Sequence, residues 1–189
     1  MLLLAFVPSI EGKLNGKHNQ TTGCTCHTGN GGGVTAGHNF PSTYTPNQLY
    51  NIQITIQGGV PGGQGGFSLD VDNGAYSNNG PDVSFQATSA THTNPSARSW
   101  SFDWTAPPAG SGPVSVALAT LTANGNNANT GDAWGTTTHT INELVANQPP
   151  SASNVQVFSS TTSSKTNVVE DTSIGVSYAY SDPESDLEQ

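Results

Sequence analysis

The sequence predicts an all-β protein built as two antiparallel sheets packed face to face, and three observations predict it. Short segments alternate strictly between apolar and polar residues, the period of a half-buried strand. No segment carries the 3.6-residue apolar period of an amphipathic helix. The composition is that of an extended, turn-rich chain: 22 Gly and 12 Pro in 189 residues, with 33% hydrophobic and 9% charged residues.

Taken in order, the strands are legible from their alternation. Over residues 49–57, Tyr50, Ile52, Ile54 and Ile56 point one way, while Asn51, Gln53, Thr55 and Gln57 point the other. Phe67, Leu69 and Val71 repeat the pattern before Asp72-Asn73-Gly74, a strong turn signal. Val83, Phe85 and Ala87 alternate next, and then Trp100, Phe102 and Trp104 before Ala106-Pro107-Pro108 stops the strand. Val114, Val116 and Leu118 precede an Asn/Gly-rich loop over residues 124–132, and a last strand is expected over residues 134–144. One apolar face per short strand is the requirement of a β-sandwich.

The charge excludes some functions. Four Lys and Arg stand against 13 Asp and Glu, a formal net charge of −9, so no basic patch exists to neutralise nucleic-acid phosphates. Disorder is excluded as well, because it needs a charge density that this chain lacks. Abundant hydroxyl and amide side chains point instead to an exported protein.

The chain is expected to divide into five parts. Residues 1–12 open with the apolar run Met1-Leu2-Leu3-Leu4-Ala5-Phe6-Val7, too short to span a bilayer; they read as the remnant of an export signal, with a buried first strand as the alternative. Residues 13–43 form a segment rich in Cys, His and Gly, and residues 44–146 the sandwich. Residues 147–153, with Pro149-Pro150, read as a linker. In residues 154–189 Val155 and Val157 alternate, as do Ile174, Val176, Tyr178 and Tyr180, which reads as the start of a second sandwich cut short. The chain is therefore expected to be a fragment, with any membrane anchor beyond Gln189. Seven of the 13 acidic residues lie from Glu143 onward. Asp182, Glu184, Asp186 and Glu188 sit at spacing two, where a solvated loop is the simpler reading and calcium the alternative.

Several segments resemble those of a known family. Tyr44-Thr45-Pro46-Asn47-Gln48-Leu49-Tyr50-Asn51-Ile52 resembles the Tyr-x-Pro-Gly-x-x-Tyr-x-Val entry to a strand in Reeler-type domains. Gly66-Phe67-Ser68-Leu69, Ala90-Thr91-His92-Thr93, the run from Ser99-Trp100-Ser101-Phe102 through Asp103-Trp104-Thr105-Ala106-Pro107, and Gly112-Pro113-Val114 follow in the family's order. Over about residues 20–145 the chain resembles the prokaryotic branch called choice-of-anchor V domains. The resemblance implies an immunoglobulin-like sandwich on a secreted or cell-surface protein, with no settled biochemical activity. The second unit resembles the Ig-like repeats of large surface proteins.

One constellation carries chemistry. The chain's two cysteines fall together in Gly23-Cys24-Thr25-Cys26-His27-Thr28-Gly29. The resembling family carries Cys-x-x-Cys-His here, the attachment motif for c-type haem, with thioethers from both thiols and the His as axial ligand. This sequence has one residue between the cysteines where that motif has two. Three other readings stay open: a tetrahedral Zn or Cu site completed by His38 or His18, a Cys24–Cys26 disulfide, and an exposed pair without function. If haem is bound, His38 and His92, the latter read as lying between strands, are the candidates for the second axial position, His18 and His139 weaker ones. Trp100 and Trp104 share a face with Phe102 and read as core, which leaves Trp134 as the candidate for stacking on a sugar.

No G-x-S-x-G elbow, His-Glu-x-x-His or carboxylate pair beside a histidine is present, so the chain is expected not to be an enzyme. Two functions follow: a structural or recognition module at a cell surface with an unknown partner, or an extracytoplasmic c-type haem protein in electron transfer or redox sensing.

Overall fold

The computed structural model describes residues 15–24, 26–27, 33–145, 151–159 and 174–181. Ten strands form the first unit, residues 1–144. They are β1 (Val34–His38), β2 (Thr43–Tyr44), β3 (Leu49–Gly58), β4 (Gly65–Val71), β5 (Ala75–Ser77), β6 (Val83–Gln86), β7 (Ser89–His92), β8 (Ser99–Thr105), β9 (Val114–Thr122) and β10 (Ala133–Glu143). A four-stranded sheet runs β1-β3-β8-β5 and a six-stranded sheet runs β2-β10-β9-β4-β7-β6. Every pairing is antiparallel except the short parallel one between β2 and β10, where Asn142 and Glu143 face Thr43 and Tyr44. The expected two-sheet sandwich is the fold observed.

The apolar alternation builds the core as expected. Ile52 and Ile54 of β3, Phe102 of β8, Leu69 of β4, Leu118 of β9 and Ile141 of β10 are all fully buried between the sheets. Burying a side chain of this size stabilises a fold by about 1.5–3 kcal/mol. Trp104 is the hub of an aromatic cluster, with Phe40 and Tyr44 edge-on and Tyr50 tilted against it. Its indole N–H donates to the Asn73 carbonyl at 3.1 Å. Trp100 is buried too, so both tryptophans are core, as their spacing implied.

The structure corrects three readings. The sandwich begins at Val34, not Tyr44, because β1 pairs with β3 along its whole length, from Val34 opposite Gly58 to His38 opposite Ile54. Asp72-Asn73-Gly74 is the expected turn, and it carries the chain from β4 in one sheet to β5 in the other. Gly74 (φ +97°) is required there, since a Cβ would lie 2.3 Å from the Trp104 indole nitrogen. Ala87 (φ 51°) is a turn between β6 and β7, not a strand position. Finally, His92 ends strand β7, where the sequence placed it between strands.

The second unit, residues 145–189, contains β11 (Ser151–Ser159) paired antiparallel with β12 (Ile174–Ser181), with a bulge between Ser153 and Gln156. The stretch read as a linker through residue 153 thus already belongs to a strand from Ser151. The export-signal segment, residues 1–12, and the acidic candidates for calcium at residues 182–188 lie outside the described residues.

Candidate functional site

The N-terminal arm, residues 15–27, lies across the outer face of the six-stranded sheet. In β4 and β7, Leu69 and Ala90 point into the core, so Ser68, Asp70, Ser89 and Thr91 point outward. That outer row is polar, and the arm bonds to it residue by residue. The Asn19 and Gln20 amides donate to the Ser89 and Ser68 hydroxyls, each at 3.1 Å. The Thr21 hydroxyl donates to Asp70 Oδ2 at 3.2 Å, and His18 Nδ1 lies 3.2 Å from Ser89 Oγ. Gly16 permits the closest approach, since a Cβ there would fall 2.0 Å from the Thr91 hydroxyl oxygen. As a result Ser68, Ser89 and Thr91 are buried although they lie on the outer face.

Between arm and sheet is a small cleft that opens to solvent. The arm contributes Cys24, Cys26 and His27, and the sheet contributes Phe67, His92, Ala119 and Leu121. The inner wall is therefore largely apolar, and the thiols and imidazoles sit around it. Cys24 and Cys26 are both free thiols. A turn closed by the His27 amide donating to the Cys24 carbonyl at 3.2 Å brings the three residues together. Burial, helped by Cys26 and Asp132, pushes the Cys24 thiol up to about 11, so it is uncharged at neutral pH.

His27 is oriented by a residue the sequence reading missed. Its Nδ1 lies 2.6 Å from Asp132 Oδ2, and the Asp132 carboxylate is only 1% exposed. A carboxylate can only accept, so Nδ1 carries the proton and donates, and Nε2 is the nitrogen left for a ligand. Asp132 Oδ1 accepts the Asn124 amide at 3.0 Å, which ties both ends of the 124–132 loop to the same carboxylate. Nothing in the sequence marks Asp132. It is one polar residue at the end of a polar loop, and its role depends on a contact spanning more than a hundred residues.

His92 enters the cleft from the sheet. Its Nδ1 lies 3.2 Å from the Phe67 carbonyl and 3.1 Å from the Phe67 amide. Its ring fills the space of the side chain that Gly66 lacks, since a Cβ there would lie 2.3 Å from Cε1. Burial holds His92 below the ordinary histidine value, opposed by the bond to Phe67, with a smaller lowering from His27 nearby. Among the described residues, no three His, Cys, Asp or Glu side chains converge closely enough to hold an ion.

His38, a candidate for the same centre, is elsewhere. It ends β1 and packs against Phe40 and His139, with the His139 ring centre at 4.9 Å. The strand carries it to the side of the sandwich, away from the cleft, so it completes no site with the cysteines. Trp134 does not offer a bare face either: the backbone at Gly23 (φ +143°) lies against it, and a Cβ there would sit 3.0 Å from the indole.

No protein-family model matches the chain, and no curated protein matches it. Among the solved structures similar to it are two reeler-type domains. The Reelin-N domain of F-spondin is 18% identical, with a TM-score of 0.45, over 67% of this chain and 94% of that one. The human F-spondin reeler domain (fragment 2) is 16% identical, with a TM-score of 0.42, over 70% and 94%. A likeness of this size bears on neither ligand nor partner.

Proposed function

We infer that this chain is an exported, non-catalytic β-sandwich module whose N-terminal arm holds a covalently attached haem c, for electron transfer or redox sensing. The observation that carries the reading is the Asp132–His27 bond. A metal-binding histidine characteristically gives its second ring N–H to a carboxylate or carbonyl, which fixes the ring and makes the other nitrogen a better ligand.

The lining of the cleft supplies the residue types that the group uses: two thiols and two imidazoles beside an apolar wall. When bound, haem would supply a one-electron iron centre whose potential depends on its axial ligands and its burial. His27 and His92 would provide ring nitrogens for the iron, and Cys24 and Cys26 the attachment points. Ala119 and Leu121 would exclude water from one side. Outside this cleft the module acts as a spacer or recognition unit at a cell surface, with a surface or redox partner.

Expression in a host with extracytoplasmic haem-attachment machinery tests the reading. The expected result is a Soret band and a covalent mass increment of one haem, both lost in Cys24→Ser/Cys26→Ser. A protein without that increment overturns it. Bound Zn or Cu lost on Cys26→Ser would assign the same residues to a simple metal site instead.

A further inference from the structure

His38 and His139 occupy inward-facing positions on edge strands of opposite sheets. β1 is the outer strand of the four-stranded sheet, and β10 is an edge at His139 because β2 pairs only with Asn142 and Glu143. The two imidazoles therefore meet at the open side of the sandwich, with ring centres 4.9 Å apart and planes at 52°.

Each ring has an Nδ1 suited to a ligand role. His139 Nε2 lies 2.8 Å from the Pro41 carbonyl, which only accepts, so Nε2 carries the proton and Nδ1 keeps its lone pair. This is the carbonyl-bonded arrangement of metal-binding histidines. His38 Nδ1 is buried and has no hydrogen-bond partner, an arrangement that costs about 1–3 kcal/mol unless something satisfies it. With a metal–nitrogen bond of about 2.0–2.1 Å, two imidazoles on one tetrahedral ion have ring centres about 5 Å apart, close to the spacing found.

We propose that His38 and His139 form a second metal site, separate from the cleft, that takes one borderline divalent cation across the two sheets, with water completing the coordination. Imidazole pairs suit Zn²⁺, Cu²⁺ and Ni²⁺, whereas Ca²⁺ and Mg²⁺ need oxygen ligands. Both rings are only partly buried, which leaves room for water on the ion. An ion held in this way links β1 to β10 and stabilises the folded state in proportion to its concentration.

The test uses the full chain with Cys24→Ser/Cys26→Ser, which removes the thiols from competition. Titration with Zn²⁺ alone is expected to show one equivalent bound, a melting temperature that rises with Zn²⁺, and perturbed ring resonances of His38 and His139. His38→Phe, which preserves packing on Phe40, and His139→Gln, which preserves an N–H for the Pro41 carbonyl, are each expected to abolish the binding and the thermal shift. Unchanged Zn²⁺ binding in both variants overturns the proposal. So do ring resonances in the unsubstituted background that do not respond to Zn²⁺, a readout that needs neither variant to fold.

Discussion

His27 Nδ1 and Asp132 Oδ2 lie 2.6 Å apart, joining the arm to the residue just before β10. The bond ties a short, locally unsupported segment to one of the best buried carboxylates in the protein. Asp132 also accepts the Asn124 amide, so its loss affects arm and loop together. Asp132→Ala is expected to destabilise the first unit by about 1–3 kcal/mol, since it leaves two donors without their acceptor. Asp132→Asn keeps an acceptor oxygen for one of them and should cost less. Chemical denaturation of the two variants gives the ordering, and an Asp132→Ala protein as stable as the unsubstituted one would contradict the role assigned to this carboxylate.

The glycine at Gly66 sets the position of His92. Its replacement by Ala introduces a Cβ 2.3 Å from the ring, and rigid strands on either side prevent much relief. Gly66→Ala is expected to displace the imidazole from Phe67 at a cost of about 1–3 kcal/mol. The measurement is the His92 ring resonance together with the melting temperature. An unmoved resonance would show that the ring has another resting place.

Acid should weaken the metal-free fold in two stages. Burial holds both His38 and His92 below 6.5. The unfolded rings take up protons near 6.5, while the folded ones do so only at lower pH. Stability therefore falls as pH drops below 6.5 and stops falling from this source once the folded rings are protonated. Glu143 accepts the Gly110 and Gly112 amides, each at 2.7 Å, and these bonds hold its carboxyl below 4.5. Its contribution is complete above 4.5 and is lost as pH falls through the lower folded value. Unfolding curves across this range should show the upper stage flattened in His38→Phe/His92→Gln, and the lower stage reduced in Glu143→Gln.

Trp104→Ala removes the centre of the aromatic cluster. Phe40, Tyr44 and Tyr50 all lose their shared neighbour. The expected loss is about 3–5 kcal/mol, measured by denaturant titration. A loss below about 1 kcal/mol, the scale of a well-tolerated hydrophobic swap, would mean that the cluster refills the space.

The long strands were legible because their chemistry is local. Residues 49–57, with four apolar side chains facing one way, match β3 almost residue for residue, and Trp100 to Trp104 fall within β8. Strands whose pattern is short or weak escaped. β1 reads Val-Thr-Ala-Gly-His and owes its place to pairing with β3, and β5 is a three-residue attachment to β8. The site was half legible for the same reason. Cys24, Cys26 and His27 announce themselves by adjacency, and His92 by the segment it sits in. Asp132 and the arm's bonds to Ser68 and Ser89 are tertiary contacts between residues of ordinary type, and no spacing rule reports them. Nor does spacing separate His38 as a partner of the cysteines from the β1 register that takes it to His139.

The arm is fastened by hydroxyls and amides to a polar face, not by apolar side chains to the core. Detaching it would expose Ser68, Asp70, Ser89 and Thr91, which water accepts readily, together with the small apolar wall at Ala119 and Leu121, and would leave the inter-sheet core intact. The sandwich is thus constructed so that its arm can be raised for the loss of a few hydrogen bonds and without opening its core. A bulky guest that must be installed after folding needs a doorway of this kind.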